Sequence, residues 1–145
     1  MKLRDTGKKQ HIQLYRDYEK RCARSGLVDF GELLLCCYET LSKNNDLLAH
    51  YQQRFKNVLV DEFQDTNEIQ YQMIRLLSGE HGAAFVVGDD DQSIYRWRGA
   101  NSANMSRFQK EFPNTRVIKM EQNYRSTKTI LDAANAVIAN NDKRL

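Results

Sequence analysis

The 145-residue sequence lacks a long apolar segment, and it contains no repeats or low-complexity tract. No apolar run approaches the roughly 20 residues that a membrane-spanning helix needs. The basic N-terminus is not followed by the apolar core of a signal peptide. We therefore expect a cytoplasmic protein without a membrane partner.

Cysteine is also scarce, with three residues at positions 22, 36 and 37. The number is odd and no C-x-x-C spacing occurs, so neither a disulfide framework nor a zinc knuckle is indicated. We expect reduced thiols that are mostly packed.

The composition is that of a globular domain, with 41% apolar and 28% charged residues, and the charge is unevenly distributed. Residues 1–25 carry eight basic against three acidic side chains, residues 26–95 four against twelve, and residues 96–145 ten against four. This pattern predicts a cation site beside surfaces that attract phosphates, although solvated helix faces would give the same pattern.

Helices are predicted over the first 50 residues. An early helix ends at Ser25 and Gly26, and Asp29 with Glu32 forms a plausible capping pair for the next helix. That second helix carries an apolar stripe at spacings of three and four, namely Phe30, Leu33, Leu34, Cys37, Tyr38 and Leu41.

From residue 57 the pattern is typical of alternating parallel strands and helices, so the fold class is α/β. Such strands are expected to be buried on both faces. The predicted pairs are strand 58–60 with helix 67–78, strand 83–87 with helix 102–111, and strand 116–120 with helix 127–140. Asp65 and Glu68 are expected to cap the first of these helices, and Ile130, Ala134, Val137 and Ile138 to face inward on the last.

The stretch NVLVDEFQDTN places Asp61 and Glu62 directly after a short apolar strand. Ligands of open α/β sheets bind at the carboxyl ends of the strands. A strand ending in Asp-Glu is the Walker B arrangement, in which the Asp holds Mg²⁺ and the Glu activates water. The pair also arises often by chance.

The next strand is followed by a second polar turn, in the stretch AAFVVGDDDQSIYRWRGA. Gln92 in this turn could reach a terminal phosphate. Tyr95 and Trp97 then alternate with Arg96 and Arg98, which suits single-stranded nucleic acid because each stacked base contributes roughly 1 to 3 kcal/mol. In the alternative interpretation Trp97 is a core residue and the arginines are solvated.

A third stretch, EQNYRSTKTI, contains Tyr124, which could stack on a base ring. Arg125 offers the forked donors that suit a developing phosphoryl charge. Ser126 or Thr127 could simply cap a helix.

Together, VDEFQDTN, VGDDDQSIYRWRGA and MEQNYRS resemble motifs II, III and IV of superfamily 1 DNA helicases of the UvrD, PcrA and Rep type. The resemblance covers nearly the whole chain. It implies part of a RecA-like P-loop NTPase motor that uses ATP and Mg²⁺ to move 3′ to 5′ along single-stranded DNA. It also implies that the protein parts duplex DNA at junctions, in DNA repair.

The resemblance further implies roles for the nucleotide site. Asp61 would bind Mg²⁺, Glu62 would activate water, and Gln92 would sense the γ-phosphate. Tyr124 would stack on adenine, and Arg125 would act as an arginine finger.

A second set of implied roles concerns DNA and the surrounding polar side chains. Tyr95 and Trp97 would lie against DNA bases, and Arg98 would brace an acidic cluster that includes Asp65. Gln64 would belong to the same polar network.

The implied domains are the end of a helical inserted subdomain (1B-like) over residues 1–55 and the second part of the first motor domain (1A-like) over residues 56–121. Residues 122–145 would open the second motor domain (2A-like).

A Walker A loop, G-x-x-x-x-G-K-[ST], is absent from the sequence: Gly7-Lys8 is followed by Lys9, and Lys2 stands where the first Gly would fall. We therefore expect an internal fragment that does not hydrolyse ATP by itself. Unpaired sheet edges would favour self-association or helix exchange.

Two other functions remain open from the sequence. One is a stand-alone module that binds single-stranded nucleic acid without catalysis. The other is a metal-dependent nuclease in which Asp61, Asp89, Asp90 and Asp91 gather cations.

Overall fold

The computed structural model describes residues 2–79 and 82–140, and side chains from residue 7 onward within those ranges. The chain divides into two compact units at residues 43 and 44. The first unit consists of two helices, α1 (Lys2–Ser25) and α2 (Phe30–Lys43). None of the described helices combines the length and the apolar character needed to cross a membrane.

The turn between α1 and α2 follows the sequence prediction. Gly26 adopts a positive φ of 64°, a conformation that glycine tolerates without strain and that commonly ends a helix. The Asp29 Oδ1 accepts a hydrogen bond from the backbone N–H of Glu32 at 2.8 Å, as the capping pair predicts. The Tyr18 hydroxyl donates to the other carboxylate oxygen at 2.8 Å and so ties α1 to the start of α2. The apolar stripe of α2 is only partly buried, because Phe30 and Leu33 are exposed while Leu41 is buried.

In its described residues, the second unit contains a parallel pair of strands and four α-helices. The strands pair in register, with Asn57 opposite Ala83 and Val60 opposite Val86. The predicted α/β class and the first two strand–helix pairs are therefore confirmed. The elements are α3 (Asn45–Arg54), β1 (Asn57–Val60), α4 (Glu68–Ser78), β2 (Ala83–Val86), α5 (Ala103–Glu111) and α6 (Lys128–Ile138), with 3₁₀ turns at Phe63–Asp65, Asp90–Gln92 and Arg96–Arg98.

The core lies against one face of this sheet. It consists of Phe63, Tyr71, Ile74 and Phe108, and the inward side chains of both strands pack on it. The opposite face is exposed: Leu59 retains 73% and Phe85 58% of its accessible surface. The expectation that the strands are buried on both faces is thus wrong for the described chain, because helices cover only one side.

The third predicted strand, over residues 116–120, does not form. This segment has no regular structure, and Val117, Ile118 and Met120 are exposed. A strand requires a neighbour that accepts and donates its backbone hydrogen bonds, and no described segment fills that role. The helix that follows is confirmed as α6, but Ile130 and Val137 on its predicted inward face are exposed.

The start of α4 differs from the predicted capping pair. Asn67 accepts from the Gln70 backbone N–H at 3.0 Å, and the Gln70 side chain accepts from the Asn67 N–H at 2.9 Å. The predicted pair, Asp65 with Glu68, is wrong because Asp65 belongs to the 3₁₀ turn that precedes the helix. The capping box therefore begins two residues later than expected.

A charged network joins α4 to α5. The buried Tyr71 donates its hydroxyl hydrogen to Glu111 Oε2 at 2.9 Å, and the Arg107 guanidinium lies 4.4 Å from the Tyr71 ring centre. Arg107 also pairs with Glu68 and Glu111, both at 2.8 Å. Burial, and then the Glu111 hydrogen bond, raises the pKa of Tyr71 to about 12. These contacts hold α5 against α4, which itself packs against both strands.

Candidate functional site

The carboxyl ends of β1 and β2 are joined by backbone hydrogen bonds. Val87 N–H donates to the Val60 carbonyl at 2.8 Å, and Phe63 N–H donates to the Val87 carbonyl at 2.9 Å. These bonds continue the strand pairing beyond its last residues. The polar turns that follow each strand are consequently held side by side.

Glu62 has an unusual backbone conformation at this edge. Its φ of 50° and ψ of 42° lie in the left-handed region, and among the described residues no other non-glycine has a positive φ. Asp61 Oδ1 accepts the Glu62 N–H at 2.9 Å. Both side chains are exposed at the strand end, as the sequence predicts for a ligand-binding edge.

Gln64 connects Glu62 to the second turn. The Gln64 side chain is fully enclosed, with the residue 1% exposed. Its Nε2 donates to Glu62 Oε2 at 2.7 Å, and its Oε1 accepts the Asp89 N–H at 3.1 Å. The family resemblance implies that Gln64 shares a polar network with Asp65 and Arg98, whereas its side-chain partners in the structure are Glu62 and Asp89.

The same chain of hydrogen bonds continues to Gln92. Gln92 Nε2 donates to Asp89 Oδ2 at 2.9 Å, and Gln92 N–H donates to the Asp89 carbonyl at 3.0 Å. Glu62, Gln64, Asp89 and Gln92 thus form an uninterrupted hydrogen-bonded series across the ends of both strands. We call these four residues the Gln64 relay.

Gly88 is a position at this edge whose importance for the packing of Gln64 sequence reasoning missed. A Cβ at this residue would lie 2.6 Å from Gln64 Oε1, 3.0 Å from Met105 Cε and 3.2 Å from Gln64 N. Only glycine therefore permits the observed placement of Gln64. The signal available in the sequence was a glycine directly after a strand, which often marks close backbone approach.

The carboxylates of the second turn are not arranged as a metal cage. In the described ranges no three His, Cys, Asp or Glu side chains are grouped to hold a metal ion. Asp90 Oδ1 is buried without a hydrogen-bond partner. Burial, and then the charges of Asp89 and Asp91, raises the pKa of Asp90. The geometry gives the nuclease interpretation no support.

The turn after Gln92 exposes an aromatic and cationic surface. Trp97 is 80% exposed, so it is not part of the core formed by the described residues. The Arg98 guanidinium lies 5.4 Å from the Tyr95 ring centre and 5.8 Å from that of Trp97. The expected contact between Arg98 and Asp65 is not among the ion pairs of the described residues, and Asp65 Oδ1 is buried without a partner. Arg98 is held by the rings instead.

The third stretch lies outside this hydrogen-bonded series. Tyr124 is 91% exposed. Asn123 Oδ1 accepts the backbone N–H groups of Arg125 and Ser126, each at 2.9 Å. Thr127 precedes α6 without a side-chain capping bond. In the described structure, the hydrogen bonds and ion pairs of Tyr124 and Arg125 do not reach the Gln64 relay.

Comparison with known proteins identifies the family. The UvrD/REP helicase N-terminal domain matches residues 2–113. The chain therefore belongs to the UvrD/REP helicase family.

Named relatives are consistent with this assignment. The chain is 56% identical over 133 residues to DNA helicase II of Escherichia coli K12, covering 92% of this chain and 18% of that protein. It is 52% identical over 141 residues to DNA helicase II of Haemophilus influenzae, covering 97% and 19%. It is 46% identical over 131 residues to the ATP-dependent DNA helicase PcrA of Bacillus subtilis, covering 90% and 18%. The chain spans less than a fifth of the length of these relatives.

Proposed function

We propose that the chain is part of an ATP-driven DNA helicase motor and that the ends of β1 and β2 form half of its nucleotide site. The observation that carries this proposal is the Gln64 relay, which joins Glu62 on one strand end to Gln92 on the next. A hydrolytic motor needs a group that activates water and a group that senses phosphate within one connected site. The relay provides such a connection.

The residues at this edge fit Mg²⁺ and ATP. Mg²⁺ uses one or two carboxylates together with phosphate oxygens and water, so a single exposed Asp suits it better than an all-protein cage. Asp61 is the proposed ligand, and Mg²⁺ when bound would neutralise phosphate charge. Glu62 orients and deprotonates the attacking water, and Gln92 donates to the terminal phosphate.

Two further nucleotide contacts are proposed for the third stretch. Tyr124 stacks on adenine, and its exposed ring is free of core packing. Arg125 directs its guanidinium at the phosphoryl group from across the cleft. These roles require residues 122–140 to face the strand ends in the nucleotide-bound protein.

DNA is the proposed partner of the aromatic surface beside Gln92. Tyr95 and Trp97 stack on bases, and Arg98 reinforces both rings from one side. Because Gln92 lies three residues before Tyr95, phosphate binding and DNA binding would act on the same turn. That proximity provides a direct route from hydrolysis to movement along the strand.

The proposed organisation follows the family. Residues 1–55 end a helical inserted subdomain, residues 56–121 belong to the first RecA-like motor domain, and residues 122–145 begin the second. The proposed direction is 3′ to 5′, and the proposed setting is DNA repair in the cytoplasm.

An unwinding assay tests the activity and its direction. The protein encoded by the complete gene should separate a duplex that bears a 3′ single-stranded tail when ATP and Mg²⁺ are present. A 5′-tailed duplex of the same sequence should remain paired. Equal unwinding of both substrates, or unwinding without ATP, would contradict the proposal.

A second candidate function is single-stranded DNA binding without catalysis, favoured by the exposed Trp97 and by the missing phosphate-binding loop. For the isolated 145-residue chain we propose this residual activity and no ATP hydrolysis. Titration of a fluorescent oligonucleotide should show binding that weakens with salt and with Trp97→Ala. Turnover of ATP by the isolated chain, abolished by Glu62→Gln, would contradict the proposed inactivity.

A further inference from the structure

We propose that Gln64 is a positioning residue that couples the Glu62 carboxylate to the turn carrying Gln92. This inference rests on the proposed function, since it assigns a role within the same site. It goes further by identifying which side chain transmits a change at one strand end to the other. Gln64 is the central member of the relay and has partners on both sides.

The direction of the hydrogen bonds requires a carboxamide. Gln64 donates through Nε2 to a carboxylate oxygen of Glu62 and accepts through Oε1 from the backbone of Asp89. A carboxylate at this position would keep the acceptor and lose the donor, so it would repel Glu62. An apolar side chain of similar length would lose both bonds. The amide is therefore the side chain that satisfies both partners at once.

Burial makes this connection rigid. Gln64 is 1% exposed, so water cannot replace either partner. The backbone carbonyl of Gln64 also accepts from the Ser93 hydroxyl at 3.4 Å, next to Gln92 in the chain. A displacement of the second turn would therefore pull on Gln64 from two points.

Gly88 leaves the space that the Gln64 amide occupies on its other side. A Cβ there would lie 2.6 Å from Gln64 Oε1 and 3.2 Å from the Gln64 backbone nitrogen. To avoid such a Cβ, the side chain of Gln64 would have to move and break its hydrogen bond to Glu62 or to Asp89. Gly88→Ala should consequently disturb the relay without altering any of its four side chains.

The relay also explains the backbone of Glu62. A left-handed glutamate is unfavourable, yet this conformation brings its carboxylate within 2.7 Å of Gln64 Nε2. A strained residue whose side chain is anchored by a buried amide is held in one orientation. For a base that must face an attacking water, this restriction lowers the reorganisation needed for reaction.

The test measures DNA-stimulated ATP turnover of the protein encoded by the complete gene. Gln64→Glu, Gln64→Met and Gly88→Ala should each lower kcat by roughly 10- to 100-fold, as loss of outer-shell support commonly does, with little change in KM for ATP. Gln72→Glu is the matched control, because Gln72 also donates to a glutamate at 2.7 Å, but on α4. It should leave kcat unchanged.

A double-mutant cycle separates coupling from simple support of the fold. The kcat losses of Gln64→Met and Gln92→Ala should be markedly less than multiplicative when combined, because either change alone interrupts the relay. Multiplicative losses would overturn the inference, and so would an unchanged kcat in Gln64→Met. Thermal unfolding of each variant identifies losses that come from misfolding.

Nuclear magnetic resonance of the 145-residue chain tests the inference even if the Gln64 and Gly88 variants fail to fold. The Gln64 side-chain amide protons should exchange slowly with solvent in the wild type, and their resonances should move in Glu62→Gln. Fast exchange in the folded wild-type chain would overturn the inference. If the wild-type complete protein shows no ATP turnover that depends on Glu62, the proposed function fails, whereas the amide signals still report whether the relay exists.

Discussion

Glu62 combines an unfavourable backbone with an exposed position at the end of β1. A left-handed conformation costs a residue with a Cβ roughly 1 to 2 kcal/mol, and glycine avoids this cost. The structure around Glu62 must therefore offset the strain. The bonds from Gln64 and to Asp61 are the contacts that do so.

Replacement of Glu62 separates the backbone strain from the side-chain bonds. Glu62→Gly and Glu62→Ala both remove the carboxylate, but only glycine relieves the strain. We expect Glu62→Gly to be more stable than Glu62→Ala by about 1 kcal/mol, measured by urea unfolding of the 145-residue chain. Gly7 in α1 provides the opposite control, since a Cβ there meets no atom within 4 Å and Gly7→Ala should not destabilise. Equal stability of the two Glu62 variants would show that the conformation is unstrained.

At this scale the sequence predicted which residues lie together but not how they are held. The positions of Asp61 and Glu62 after an apolar strand, and of Gln92 after the next one, were enough to place them at one sheet edge. The sequence did not predict the left-handed backbone of Glu62 or the role of Gly88. Both depend on close contacts between two turns, in which the bonded residues Gln64 and Asp89 are 25 positions apart in the chain. A glycine after a strand indicates close approach by some other group, but the sequence does not tell which group it is.

The helices are fixed by caps and by charge pairs between elements. For α4 the structure and the sequence expectation name different caps, Asn67 rather than Asp65. Asn67→Ala should destabilise the chain by about 1 kcal/mol, the usual cost of losing an N-cap. Asp65→Ala should cost less, because Asp65 Oδ1 has no partner to lose. Chemical denaturation of both variants decides between them, and a larger loss in Asp65→Ala would favour the original expectation.

The network between α4 and α5 makes stability depend on pH. The Gln72 hydrogen bond, and then that of Arg107, lowers the pKa of Glu68, and the Arg107 hydrogen bond lowers the pKa of Glu111. Carboxylates with a lowered folded pKa stabilise above the ordinary glutamate value of about 4.3 and lose that contribution as the pH falls through the folded values. The urea concentration at which half of the protein is unfolded should therefore decrease as the pH is lowered below about 4.3.

Arg107→Met tests the source of this acid dependence. The variant should be less stable at neutral pH and should lose less stability on acidification. The reason is that the pKa values of Glu68 and Glu111 are depressed less strongly without Arg107, although the Gln72 hydrogen bond still lowers that of Glu68. Lys43→Met is a suitable control, since it removes a cation from an exposed ion pair with Glu39 on α2. An acid profile of Arg107→Met that parallels the wild type would exclude the network as the cause.

Among the elements, amphipathic helices were predicted well and the last strand was not. Helices satisfy their own backbone, so α4, α5 and α6 follow from their local sequence. A strand must find a partner, and residues 116–120 have none in the described chain. The apolar residues of this segment favour a strand, but the local sequence cannot show whether a partner strand lies beside it.

Across the whole molecule, the main unsatisfied feature is the bare face of the two-stranded sheet. Leu59 and Phe85 on that face are exposed, and each strand has one edge without a partner in the described residues. Two strands alone are marginal in water, and such edges promote association. We therefore expect the isolated 145-residue chain to associate with itself.

Light scattering over a range of concentrations tests this expectation. The wild-type mass should rise with concentration, and the Leu59→Lys/Phe85→Lys double variant should shift towards the monomer. Ile94→Lys is the control, because it charges an exposed apolar residue that belongs to neither strand. A wild-type chain that stays monomeric at every concentration would contradict the expectation.

The proposed function depends above all on Glu62 as the group that activates water at the two strand ends. The most direct measurement is DNA-stimulated kcat for the protein encoded by the complete gene, compared between wild type and Glu62→Gln at saturating ATP. We expect kcat to fall roughly 100-fold or more in Glu62→Gln, the scale of a lost general base, with ATP and DNA still bound. Turnover by Glu62→Gln at the wild-type rate would contradict it.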